Sequence, residues 1–168
     1  MRKLIVSILI VLTSVSVGFW AIGAIANENY SGQISSKLNA SPERVWSVLS
    51  RFTEFQKERR EIIRIDILES DSLGPIRWKE FTDMDGFIVF ERIEWVPNER
   101  LKLKMESSSF GMTGVWTYQI DPLDYRCRLT ISEESTVQQS IVRSALVIAG
   151  RDANLKQEMN LISSTLAE

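Results

Sequence analysis

Between Ile62 and Ile131 the chain alternates apolar and polar residues with a period of two, and after Gln138 the period becomes helical. This switch constrains the fold most, because each period gives an element one apolar side that must be covered. Ile63, Ile65 and Ile67 alternate with Arg64 and Asp66, and Ile76, Trp78 and Glu80 with Arg77 and Lys79. A strand over residues 87–96 follows. Then Leu101, Leu103 and Met105 alternate with Lys102 and Lys104, Trp116, Tyr118 and Ile120 share a side, and Cys127, Leu129 and Ile131 alternate with Arg126, Arg128 and Thr130. Turn signals at 70–75, Asp85-Gly86, Pro97-Asn98 and 122–124 separate the runs. Short turns join antiparallel neighbours. With a first strand over 33–39, the reading is a twisted antiparallel sheet of about six to seven strands with one apolar face.

Ile141, Ala145, Ile148, Asp152, Leu155, Met159, Ile162 and Leu166 follow spacings of four and three. That stripe predicts one continuous helix of about 28 residues, on the order of 40 Å long, with Gly150 inside it. Ahead of the sheet, Ser41 fits a helix cap and Pro42 the first helical position. Val45, Trp46 and Leu49 then share a face, and a short helix or turn covers 52–58. The architecture is α+β, and only the C-terminal helix is long enough to cover the sheet. A strongly twisted sheet around one helix leaves an apolar cavity, the default place for a small apolar ligand.

Residues 4–26 carry no charge. As a helix they span about 34 Å, enough for a hydrocarbon core of about 30 Å. Three readings stay open: a transmembrane anchor, a signal peptide cleaved after Ala26 of Ala24-Ile25-Ala26, and a buried core helix. The first two agree on orientation. Arg2 and Lys3 precede the run and Glu28 follows it, which keeps the N-terminus inside and the domain on the extracytoplasmic side. The expected organisation is an anchor or signal over 1–26, a linker over 27–32 and one domain over 33–168.

Composition removes several classes of chemistry. The net charge is −2, so no concentrated basic face is expected for nucleic acid. The chain has no histidine and one cysteine, Cys127. Ser-His-Asp and Cys-His catalysis and histidine-ligated metal sites are therefore excluded, and no metal or cofactor is expected. Asp83-Met84-Asp85-Gly86 reads as a hairpin turn, because the ligand spacing of a calcium loop fails after it.

If the strand lysines and arginines face water, the opposite set faces the cavity or its rim: Trp78, Glu80, Glu91, Trp95, Trp116, Tyr118 and Glu133. Glu80 and Glu91 could act as an acid/base pair or orient a ligand hydroxyl. Asp152 interrupts the helical stripe and could hold a ligand's polar end. Tyr118 could offer a hydroxyl, and Trp46, Trp78, Trp116 and Met159 could line the cavity. The plain alternatives are core packing for the aromatic residues and Met159, and rim or salt-bridge positions for the carboxylates.

Four segments carry a family resemblance: Ala40-Ser41-Pro42-Glu43-Arg44-Val45-Trp46-Ser47-Val48-Leu49, Glu94-Trp95-Val96-Pro97-Asn98-Glu99-Arg100-Leu101, Gly114-Val115-Trp116-Thr117-Tyr118-Gln119-Ile120 and Arg128-Leu129-Thr130-Ile131. In this order they resemble the START-like (SRPBCC) superfamily, the polyketide cyclase/dehydrase and lipid-transport group, over roughly residues 31–167. The resemblance implies a helix-grip fold and the binding, transport or sequestration of a hydrophobic small molecule or lipid. It also implies an alternative, a cyclase, aromatase or dehydratase using cavity carboxylates. A structural or interaction protein with a filled core is the third reading. Relatives often carry a Pro-x-Trp stretch after the first helix; the corresponding residues 51–58 contain neither Pro nor Trp.

Overall fold

The computed structural model describes residues 2–167. An N-terminal helix, α1 (Arg2–Ile25), leads into strand β1 (Asn29–Leu38) and two short helices, α2 (Pro42–Leu49) and α3 (Phe52–Gln56). Six strands follow: β2 (Ile62–Asp71), β3 (Gly74–Thr82), β4 (Phe87–Val96), β5 (Arg100–Ser108), β6 (Met112–Leu123) and β7 (Arg126–Val137). Two helices complete the chain, α4 (Ser140–Ala149) and α5 (Ala153–Ala167). The strands form one seven-stranded sheet in the order β1-β7-β6-β5-β4-β3-β2, and every neighbouring pair is antiparallel. This is the α+β helix-grip arrangement. β1 begins earlier than the expected residue 33, so most of the expected linker is paired with β7.

Local chemistry places the turns. Asp85, Asn98 and Asp124 have positive φ at the β3–β4, β4–β5 and β6–β7 connections, where Asn and Asp tolerate the left-handed region better than most residues. Ser41 caps α2 by accepting from the Arg44 N–H, and Pro42 takes the first turn. The inner face of the sheet carries Leu101, Leu103, Tyr118, Ile120, Leu129 and Ile131, all buried against Leu49, Phe52, Leu155, Met159 and Ile162. Cys127 is a fully buried member of this core, and burial pushes its thiol up.

Two expectations are corrected. The long C-terminal helix is not continuous, because it breaks at Gly150, whose φ of +92° lies where only glycine is at ease. The break resets the helical phase. Leu155, Met159 and Ile162 keep to the core, whereas Ile141 and Ile148 of the same expected stripe are 59% and 63% exposed. On α4 it is Val142 and Leu146 that turn inward, onto Met105, Met112 and Val137. The second correction concerns β4. A register shift between Arg92 and Glu94 inserts an extra residue opposite β5, and such a bulge reverses which side chains face inward. Residues 88, 90 and 92 therefore share the inner face with Trp95 beyond the bulge, and Glu91 points outward.

Replacing Gly150 by alanine is expected to destabilise the protein by about 1 kcal/mol or more, since the break needs a backbone conformation that alanine resists. Urea unfolding of the detergent-solubilised full chain checks this through a lowered midpoint.

Candidate functional site

Between the inner face of the sheet and the two C-terminal helices lies a cavity of about 350 Å³. Its apolar part is formed by Ile88, Phe90, Leu103, Met105, Met112 and Trp116 from the sheet, and by Val142 and Leu146 from α4. Alternation on β4, β5 and β6 puts these side chains on one surface. The gap between α4 and α5 leaves them incompletely covered. Lining residues that reach the surface are Met84 on the β3–β4 turn, Ala145 on α4 and Gln157 on α5.

At one end the lining is polar. Glu80 on β3 is 3% exposed and accepts from Trp78 Nε1 at 2.9 Å. Glu158 on α5 is 5% exposed. Its Oε1 accepts from Gln56 Nε2 at 2.9 Å and from the Tyr118 hydroxyl at 3.2 Å, and its Oε2 lies 3.3 Å from Arg59 Nη1. Arg59 also donates from Nε to Glu61 at 2.7 Å, and Glu61 accepts from Gln157 Nε2 at 3.0 Å. Two carboxyl groups thus share one guanidinium, whose charge also acts on Glu80.

The electrostatics separate the carboxyls. Burial pushes Glu61 up, but the backbone hydrogen bond, Arg59 and Gln157 together outweigh it and hold the group below the usual carboxylate range. Burial pushes Glu158 up, with Arg59, Tyr118 and Gln56 pulling the other way. Burial raises Glu80 to about 7, opposed by the Trp78 hydrogen bond and Arg59 and reinforced by the charge of Glu158. Tyr118 is raised well above its ordinary value by burial and then by Glu158, so its hydroxyl remains a donor. The cavity end therefore holds a carboxyl that exchanges its proton near neutrality beside a permanent cation, an arrangement able to orient a polar group or to transfer a proton.

Of the residues singled out from sequence, Glu80, Trp116 and Tyr118 come together in this cavity. Trp78 supports it by donating to Glu80, and its ring stacks on Phe90 at 5.7 Å. Trp46 packs edge-on against Trp95 at 4.9 Å, and Met159 is buried in the main core. Glu133 is buried near Trp116 and accepts from Ser135 Oγ at 2.6 Å. Glu91 and Asp152 are corrected. Glu91 lies opposite Lys104 on the outer face, 3.7 Å from its ammonium, because of the β4 bulge. Asp152 sits just past the Gly150 break, half exposed and 2.7 Å from Lys156. Sequence reasoning missed Glu158, Gln56, Arg59 and Glu61. Glu158 had left a signal, since it stands three residues after Leu155 and four before Ile162, on the buried stripe itself. Arg59, of a residue type that usually faces water, turns in to Glu158.

The chain belongs to the polyketide cyclase / dehydrase and lipid transport family, whose profile matches residues 31–158. No curated protein sequence matches it. Among solved structures it is similar to a START superfamily protein from Mycobacterium smegmatis, with 16% identity, a TM-score of 0.66, and 82% of this chain and 97% of that one covered. It is also similar to the Zhui aromatase/cyclase from a Streptomyces species, with 12% identity, a TM-score of 0.68 and coverage of 83% and 94%. Norcoclaurine synthase from Thalictrum flavum, in complex with dopamine and hydroxybenzaldehyde, gives 14% identity, a TM-score of 0.64 and coverage of 87% and 91%. At these identities the likeness is one of fold.

The raised Glu80 makes stability depend on pH. The folded state holds a proton up to about pH 7 that an unfolded glutamate has released by about pH 4.5, so folding takes up a proton in that window and stability falls as pH rises through it. The loss attributable to Glu80 is on the order of 3 kcal/mol. Replacing Glu80 by glutamine is expected to flatten much of the decline between pH 4.5 and 7. Glu158, shifted in the same direction, leaves a residual slope. Thermal unfolding across that range measures both.

Proposed function

We propose that the domain binds a hydrophobic small molecule or lipid bearing one polar group, for transport or sequestration. The observation that carries this reading is the cavity's division into an apolar body and a polar end around Glu80, Glu158 and Tyr118. Its volume of about 350 Å³ falls within the range of about 300–1,000 Å³ usual for ligand pockets and argues against a filled core. The apolar body supplies affinity at roughly 25 cal/mol per Å² buried. The polar end selects orientation, with Glu80 donating when protonated and Tyr118 or Arg59 meeting an acceptor. No metal or cofactor enters the proposal.

A second reading, a cyclase, aromatase or dehydratase, is favoured by one observation: Glu80 titrates near 7, where a carboxyl serves as acid or base at physiological pH. An aromatase/cyclase and a synthase among the structural neighbours support the same reading.

For the N-terminus we propose a retained anchor over 1–26, with Arg2 and Lys3 inside and the domain over 33–168 on the extracytoplasmic side. The junction at 27–32 is largely drawn into β1. Support comes from α1 itself, which is long and apolar enough to cross a membrane. Its packing on α4 supports retention: Arg143 Nε donates to the Gly23 carbonyl at 2.7 Å and Ser144 Oγ to that of Phe19.

Native mass spectrometry of the purified full chain is expected to release a small apolar molecule. Glu80→Gln should weaken its rebinding by up to about tenfold, the net worth of one hydrogen bond made by the carboxyl. Leu146→Trp, which fills the cavity, should abolish rebinding in a folded protein. Repeated absence of any bound molecule, together with unchanged rebinding of apolar probes by Leu146→Trp, would sink the binding reading. Turnover lost in Glu80→Gln with ligand retained would select the enzyme.

A further inference from the structure

Helix α4 has three sides, and the fold accounts for two. With 3.6 residues per turn, Ser140, Arg143 and Ser144 fall on one side and meet α1. Val142 and Leu146 fall on the second and line the cavity. The third carries Ile141 and Ile148, which are 59% and 63% exposed, with Ala145 between them. This third side carries no polar side chain, and among the described residues no protein segment covers its isoleucines.

The contact with α1 fixes where this helix lies. A Cβ on Gly23 would stand 1.7 Å from the Ser140 carbonyl oxygen, so the two backbones touch. Arg143 spans the junction. It donates to the carbonyls of Gly23, Val137 and Gln138, pairs with Glu28 at 3.1 Å and donates to Ser140 Oγ. The α1 residues involved, Phe19 and Gly23, stand close to the end of the apolar span at Ile25. At 1.5 Å per residue the contact falls roughly 3–9 Å inside that end. Helices that lie in a membrane interface bury their apolar side by about 5–10 Å. Trp20, 59% exposed on α1 at this level, is the residue type enriched at membrane–water boundaries.

We infer that α4 is an interfacial membrane helix. Docked on α1 through Gly23, Arg143 and Ser144, it lays Ile141 and Ile148 among the acyl chains of the bilayer. The cavity wall formed by Val142, Ala145 and Leu146 then lies at the membrane surface, and an apolar ligand passes between bilayer and cavity without crossing bulk water. The inference rests on reading α1 as a retained membrane helix. Lipid rather than a protein is the occupant, because the polar side chains of α4 (Ser140, Arg143 and Ser144) are already engaged on the α1 side. The free side has no side-chain donor or acceptor with which to recognise a protein.

Nitroxide labels decide the point in the full chain reconstituted into phosphatidylethanolamine/phosphatidylglycerol vesicles. Cys127 is fully buried and stays unlabelled. Labels go on Ile141→Cys and Ile148→Cys, on Val11→Cys within α1, and on Tyr125→Cys, at a 96% exposed turn position. Collision with oxygen relative to a water-soluble nickel chelate should be at least threefold higher at 141 and 148 than at 125, approaching the value at 11. Gly23→Leu should push α4 off α1 and return position 148 towards the value at 125. Aqueous values at 141 and 148 with a lipid value at 11 overturn the inference and leave the anchor standing. Shielding of both positions from oxygen and nickel alike overturns it in favour of a protein partner. An aqueous value at 11, or loss of α1 from the chain, overturns the anchor reading and this inference with it.

Discussion

The interruption at Gly150 governs how sheet, cavity and N-terminal helix fit together. An unbroken C-terminal helix would present a single stripe and bury it along the sheet. Broken there, α5 keeps Leu155, Met159 and Ile162 in the main core. Meanwhile α4 turns Val142 and Leu146 onto a separate cluster with Met105, Met112 and Val137. Each half covers its own part of the sheet, and the cavity is lined by both. The same change of phase frees Ser140 and Ser144 to meet α1. One backbone dihedral outside the reach of most L-residues thus underlies the ligand space and the junction to the N-terminal segment.

The polar end follows from a shortage of positive charge. Arg59 is shared by Glu61 and Glu158, which leaves Glu80 with an indole N–H as its hydrogen-bond partner. A buried carboxylate without a cation of its own is costly, and the group retains its proton instead. Tyr118 and Gln56 complete the satisfaction of Glu158. The cluster is held from α3, the loop after it, β3, β6 and α5, so its geometry depends on the tertiary fold rather than on any local motif.

That dependence explains what could be read from the sequence. Strict alternation on β3, β5, β6 and β7 makes Glu80, Trp116 and Tyr118 legible as inward residues from the residue pattern alone. The cap at Ser41, the turn at Asp85-Gly86 and the helical period after Gln138 are equally local signals. Glu91 is misplaced by the pattern because a bulge changes parity without a mark in the residues around it. Asp152, Ile141 and Ile148 are misplaced because a periodic stripe carries no record of a break unless the glycine within it is taken as one. Glu158 and Arg59 are overlooked because charged side chains usually face water. Their burial is decided by partners about a hundred residues away in the chain.

The near-neutral carboxyl at the cavity end gives occupancy its own stoichiometry. A ligand that places an amine against Glu80 favours the carboxylate and expels a hydrogen ion. One that places a carbonyl or ether oxygen there favours the acid and captures one. Filled and empty forms would then differ in how many hydrogen ions they hold: the cationic amine would lose affinity by up to about tenfold per pH unit below neutrality, and the oxygen ligand by the same factor above it. On the binding reading proposed above, the affinity of the cavity would follow the acidity of its surroundings.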